Sequence, residues 1–86
     1  MGDIWSDAAA SFGVVLRRLR KTAGLTQEKL AEVADLRRTY VSILELGQQQ
    51  PTLTTILKLA KALRCPAAEI VSLVEVERTR VRRRRS

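Results

Sequence analysis

Arginine supplies most of the chemistry this sequence offers. Six arginines and no acid fill residues 78–86, and further cations pair up at Arg17–Arg18, Arg20–Lys21 and Arg37–Arg38. A guanidinium is a planar fork of donors that stays charged and can grip phosphate oxygens, or a guanine edge, with two hydrogen bonds at once. The chain carries +7 at neutral pH, yet residues 1–77 hold ten cations against nine acids. The excess is a property of the C-terminal run, so the high pI alone does not make the body a polyanion binder. The clusters at 17–21 and 37–38 are a separate matter, because folding can bring them onto one face.

Other chemistries are poorly supplied. There is no histidine, hence no imidazole base and no histidine metal ligand. The single Cys65 cannot close an internal disulfide, and the scattered acids show no metal-ligand spacing. The four glycines form no phosphate-cradling loop. The expectation is a non-enzyme without cofactor, metal or small-molecule substrate. No stretch approaches the roughly 20 apolar residues that span a bilayer, and residues 1–12 lack the basic start and apolar run of a secretory signal. With a lone thiol that suits a reducing compartment, the chain reads as cytoplasmic.

These side chains must be positioned by helices. Apolar residues make up 45% of 86 residues, enough for one domain with a small core. Phe12, Val15, Leu16, Leu19 and Ala23 follow a helical period, with Ser6–Asp7 or Ser11 as N-caps and Gly24 as the stop. Thr26 caps a second helix reaching about Ala34, with Leu30, Ala31 and Ala34 inward. A third runs from Arg38 to Leu46 and ends at Gly47. Thr52 caps a fourth, with Leu53, Ile56, Leu59, Ala60 and Leu63 inward, and Cys65-Pro66 breaks it. The fifth uses Ile70, Val71, Leu73 and Val74, and its pattern fades beyond Val76. No strand-like alternation appears. The reading is an all-α bundle of five helices over residues 1–77, followed by a disordered arginine-rich tail at 78–86.

Two short helices joined by a tight turn at about residues 26–46 have the architecture of a helix-turn-helix, in which the second helix stands out far enough to enter a DNA major groove about 12 Å wide. The ordered pieces LRRLR, GLTQ, RTYVS, PTLTT and KLAKAL, in the run from Phe12 to Val74, resemble the lambda-repressor-like (Cro- and XRE-type) helix-turn-helix family. That resemblance implies a compact five-helix DNA-binding domain. It also implies roles. Gln27 matches a phosphate-gripping glutamine at the start of the second helix. Arg38, Thr39, Ser42 and Ile43 match the outward face of the recognition helix, with Arg37 just before it. Tyr40, Gln49 and Gln50 match positions near the DNA backbone, and Arg20 and Glu45 match a buried ion pair.

Three departures stand out. Asp35 replaces the usual glycine at the end of the second helix, where it must tolerate a positive φ. Arg37 replaces the usual Ser or Thr N-cap, losing a hydrogen bond commonly worth about 1 kcal/mol and setting a cation against the helix dipole unless a phosphate answers it. Ile43 is apolar where the family is often polar. It either touches a thymine methyl or packs.

The resulting expectation is a transcriptional regulator that binds palindromic double-stranded DNA as a homodimer. Ile70, Leu73 and Val74 serve either as core or as the dimer face. One rival is an antitoxin-like protein that holds a partner while its helix-turn-helix regulates its own operon. Another is a basic RNA-binding module, which the three aromatics Trp5, Phe12 and Tyr40 serve poorly because they form no stacking platform.

Overall fold

The computed structural model describes the backbone of residues 4–85 and the side chains of residues 7–80. Five helices follow one another: α1 (Ile4–Thr22), α2 (Gln27–Ala34), α3 (Arg38–Glu45), α4 (Leu53–Leu63) and α5 (Ala67–Arg85). Among the described residues there is no strand. No helix among them is long and apolar enough to cross a membrane.

Local chemistry sets most of the boundaries. The Thr26 hydroxyl accepts from the Lys29 N–H at 3.0 Å, and Thr52 does the same for Thr55 at 3.1 Å, so two helix starts have a donor satisfied by a side chain. Arg37, at the start of α3, makes no side-chain capping bond. The apolar stripes then meet in one core of Phe12, Val15, Leu16, Leu30, Ala31, Ala34, Val41, Leu44, Leu59, Ala60 and Ile70. α1 lies across both α3 and α5, while α2 packs on α3 and α4. The two short helices thus pack on each other, with α1 behind α3 and α4 behind α2.

Three expectations change. α1 begins at Ile4, ahead of the proposed caps, and Asp7 and Ser11 lie inside it, both buried. Ile70 is only 1% exposed and belongs to the core, so it is not available to a dimer face. α5 does not end near Val76: helix continues to Arg85, through the stretch expected to be disordered. Arginine is among the better helix formers, which offsets the loss of an apolar period. Glu77, 7% exposed, also ties this part of α5 to α1 through Arg18 at 3.4 Å.

Two turns use left-handed backbone without glycine, at Asp35 (φ 58°) and Arg64 (φ 59°). Asp enters this region more readily than Arg because its short polar side chain can bond locally. Both Asp35→Gly and Arg64→Gly should therefore stabilise the fold, and Arg64→Gly should do so more, by about 1 kcal/mol against about half that. Thermal unfolding checks both the sign and the order.

Candidate nucleic-acid interface

α3 is amphipathic in a way that divides its residues cleanly. Val41 and Leu44 are fully buried, and the Tyr40 ring packs on the same core. At roughly 100° per residue, Arg38, Thr39, Ser42 and Ile43 fall on the opposite arc. They line an open depression of about 300 Å³, with Arg38 and Thr39 exposed and Ser42 and Ile43 half-buried. Arg37 is exposed immediately before them.

A polar cluster braces this helix from its C-terminal end. Arg20 Nε donates to Glu45 Oε2 at 2.6 Å, and Arg20 Nη2 donates to Glu45 Oε1 at 3.1 Å. Arg20 Nη1 donates to the Leu25 carbonyl at 2.8 Å. One guanidinium therefore joins α1, the loop before α2, and α3. Both side chains are largely out of water, at 11% and 4% exposure, and the bonds from Glu45 hold the Arg20 guanidinium more firmly protonated than usual. Gln27 Nε2 donates to Glu45 Oε1 at 3.0 Å, which fixes this side chain at the start of α2 against the end of α3. Its amide has a second N–H to offer a ligand.

The backbone makes room for this brace. A Cβ added at Gly13 would lie 2.6 Å from the carbonyl oxygens of both Leu44 and Glu45. Gly47, at φ +73°, turns the chain directly after α3, and a Cβ there would come within 3.0 Å of Ala10 Cα. Only small residues on α1 allow the end of α3 to approach this closely.

Other residues are placed differently from their sequence neighbours. Tyr40 faces inward, and its hydroxyl lies 3.3 Å from Thr55 Oγ1, which in turn accepts from Thr52 Oγ1 at 3.0 Å. These hydroxyls couple α3 to the start of α4. Gln49 is exposed in the loop after α3. Gln50 lies on another side, lining an apolar depression with Ala8, Phe12, Pro51, Ile56, Val71 and Val74. The cations at 17–21 do not share one face, since Arg18 turns to Glu77 and Arg20 to Glu45. Leu73 and Val74 are half-buried on the core, while Val71 is 47% exposed beside them.

Sequence reasoning passed over Leu46, which it treated as the end of the helix. Leu46 is 67% exposed. Its spacing, four residues after Ser42, was the available signal. It also passed over Lys58, whose ammonium reaches the Asp35 carbonyl at 3.4 Å across the turn between α2 and α3.

Comparison with known proteins gives a consistent set of matches. A family model for helix-turn-helix proteins matches residues 16–70. The control protein C.MunI of Mycoplasma sp is 36% identical over 73 residues, covering 84% of this chain and 99% of that protein. The restriction-modification controller C.AhdI of Aeromonas hydrophila superposes with a TM-score of 0.70 at 45% identity, covering 72% of this chain and 94% of the other. The restriction-modification controller C.Esp1396I, solved as a tetramer with its natural 35-base-pair operator, gives a TM-score of 0.76 at 25% identity, over 84% of this chain and 95% of that one.

Proposed function

The chain belongs to the lambda-repressor-like (Cro- and XRE-type) helix-turn-helix family, and from that premise we propose that it is a controller-type transcriptional regulator that binds palindromic double-stranded DNA as a dimer. The observation that carries this reading is the outward arc of α3: Arg38, Thr39, Ser42 and Ile43 stand clear of the core on a helix braced at its far end by Arg20 and Glu45. A helix presented this way fits a major groove. In a two-fold dimer the half-site centres would lie about 34 Å apart, one turn of DNA.

Within this reading Arg38 is the guanine reader, because its fork can take both acceptors of one guanine edge. Thr39, Ser42 and Ile43 complete the base-facing surface. Gln27 and Arg37 meet phosphates: Gln27 through its second amide N–H, and Arg37 where a phosphate answers the uncapped positive end of α3. Gln49 is assigned to the backbone. Tyr40 is reassigned from backbone contact to brace, since its hydroxyl is directed to Thr55, and Gln50 is released to the α1–α5 side. The arginines that end α5 add phosphate attraction without sequence preference. The activity is binding, without catalysis, in the cytoplasm.

We assign the dimer face to Leu73 and Val74 with the exposed Val71 and the neighbouring Ile56 and Pro51, a choice supported by the apolar depression that Val71, Val74, Ile56 and Pro51 line and by the burial of Ile70. Val71→Glu should give a folded monomer with weakened operator binding. Sedimentation of the unmodified chain as a monomer at tens of micromolar, with and without DNA, would contradict the dimer.

The base-reading assignment is tested by contrast. Arg38→Ala should cost about 1–3 kcal/mol at the cognate duplex and relax preference at one G·C pair. Gln27→Ala should weaken cognate, singly altered and random duplexes alike, because phosphates carry no sequence code. If Arg38→Ala lowers all three in parallel, Arg38 is a phosphate clamp and not a reader.

A further inference from the structure

Leu46 is a large apolar side chain left in solvent on the same arc as the residues assigned to base reading. Its backbone is still helical (φ −81°, ψ −3°), and its N–H bonds the Ser42 carbonyl at 3.0 Å, so the rotation of α3 carries through it. Arg38, Ser42 and Leu46 recur at intervals of four residues, and Leu46 stands three after Ile43. By helical rotation Leu46 falls between Ser42 and Thr39, about 80° from Arg38 and about 60° from Ile43. A single exposed leucine needs no explanation by itself. This one has a second feature, its company. Along α3 the outward arc is polar at its start, with Arg38, Thr39 and Ser42, and apolar at its end, with Ile43 and Leu46.

The core does not explain that end. Val41 and Leu44 fill the inward side completely, both at 0% exposure, whereas Leu46 keeps 67% of its surface in water. Phosphate and sugar oxygens give an aliphatic side chain nothing to bond. The major groove offers one exposed apolar group, the 5-methyl of thymine. Resting on the proposed DNA-reading role of α3, we infer that Leu46 is a specificity-determining residue that packs against a thymine methyl, with Ile43 as the other wall of the contact. Arg38 and Leu46 are about 12 Å apart along the helix axis. The thymine should therefore lie in the same half-site as the guanine that Arg38 reads, displaced from it along the groove.

Deoxyuridine differs from thymidine only by lacking that methyl, which makes the test specific. A duplex selected from random DNA by the wild-type chain is remade with each thymine singly replaced by deoxyuridine. Wild type and Leu46→Ala are then titrated against every version. Leu46 is exposed, so Leu46→Ala should unfold at the wild-type temperature and report on binding alone. One thymine in each half-site should matter to the wild type, by about three- to tenfold in Kd. Leu46→Ala should discriminate thymine from deoxyuridine at that site clearly less than wild type does, and what discrimination is left should vanish when Ile43→Ala is added. Two results overturn the inference: Leu46→Ala remains as sensitive to the methyl as wild type, or wild type is insensitive at every thymine. Failure of the DNA-reading role looks different, since the wild-type chain would then show no duplex preferred over random DNA, and both proposals would fall together.

Discussion

Glu45→Ala should be among the most damaging single changes in this protein, lowering stability by about 3 kcal/mol or more. The carboxylate answers three donors from two other segments: two from Arg20 and one from Gln27. Removing it leaves a guanidinium at 11% exposure without its counter-charge, and an unpaired buried charge costs more than the pair contributed. At about 0.05–0.15 kcal/mol per residue, a chain of this size has only about 4–13 kcal/mol in hand. Denaturant unfolding measures the loss. Replacing both partners, Arg20→Met with Glu45→Leu, should recover most of it, because an apolar pair can stand in for a buried ion pair. DNA affinity should not recover with it, because Gln27 loses the acceptor that fixes its amide. That split between stability and affinity separates a positioning role from a merely structural one.

The second large effect is expected from the smallest possible change, Gly13→Ala. A new methyl would sit 2.6 Å from two carbonyl oxygens of α3, and backbone cannot swing aside as a side chain can. α1 and the end of α3 must part. Overpacking of this kind typically costs about 1–3 kcal/mol, and the better helix propensity of alanine returns no more than about 1 kcal/mol. Gly13→Val should be worse on both counts. Separation also draws Glu45 away from Arg20 and tilts the arc bearing Arg38, so operator affinity should fall further than stability alone explains. A variant with wild-type melting temperature and wild-type affinity would show that the close approach of α1 and α3 is dispensable.

Much of this architecture is legible in the sequence, and the failures have physical causes. The caps at Thr26 and Thr52 mark helix starts because a hydroxyl there satisfies a donor that nothing else reaches. Within α1, Ser6, Asp7 and Ser11 are all of a type that caps helices, so in sequence they read as starts although the helix already runs through them. The end of α5 was missed because helical arginines leave no apolar period to follow. Ile70 and Val71 are adjacent and both aliphatic, and only packing tells that one is core and the other is exposed. The same limit applies to charges. Arg18 and Arg20 look alike in sequence, yet their partners lie 59 and 25 residues away on different helices. Arg20–Glu45 was accessible only through resemblance to a family. Leu46 was legible by spacing alone, but an apolar residue beside a helix-ending glycine reads naturally as the end of a stripe.

The central claim is that the outward arc of α3 reads a defined DNA sequence on a two-fold site. Selection of bound duplexes from random double-stranded DNA at physiological salt tests it most directly. The expected result is one enriched motif, palindromic, with half-site centres one helical turn apart and a guanine in each half that Arg38→Ala no longer selects. Recovery of duplexes with no enriched motif would contradict the claim, and the binding that remained would belong to the arginines of α5.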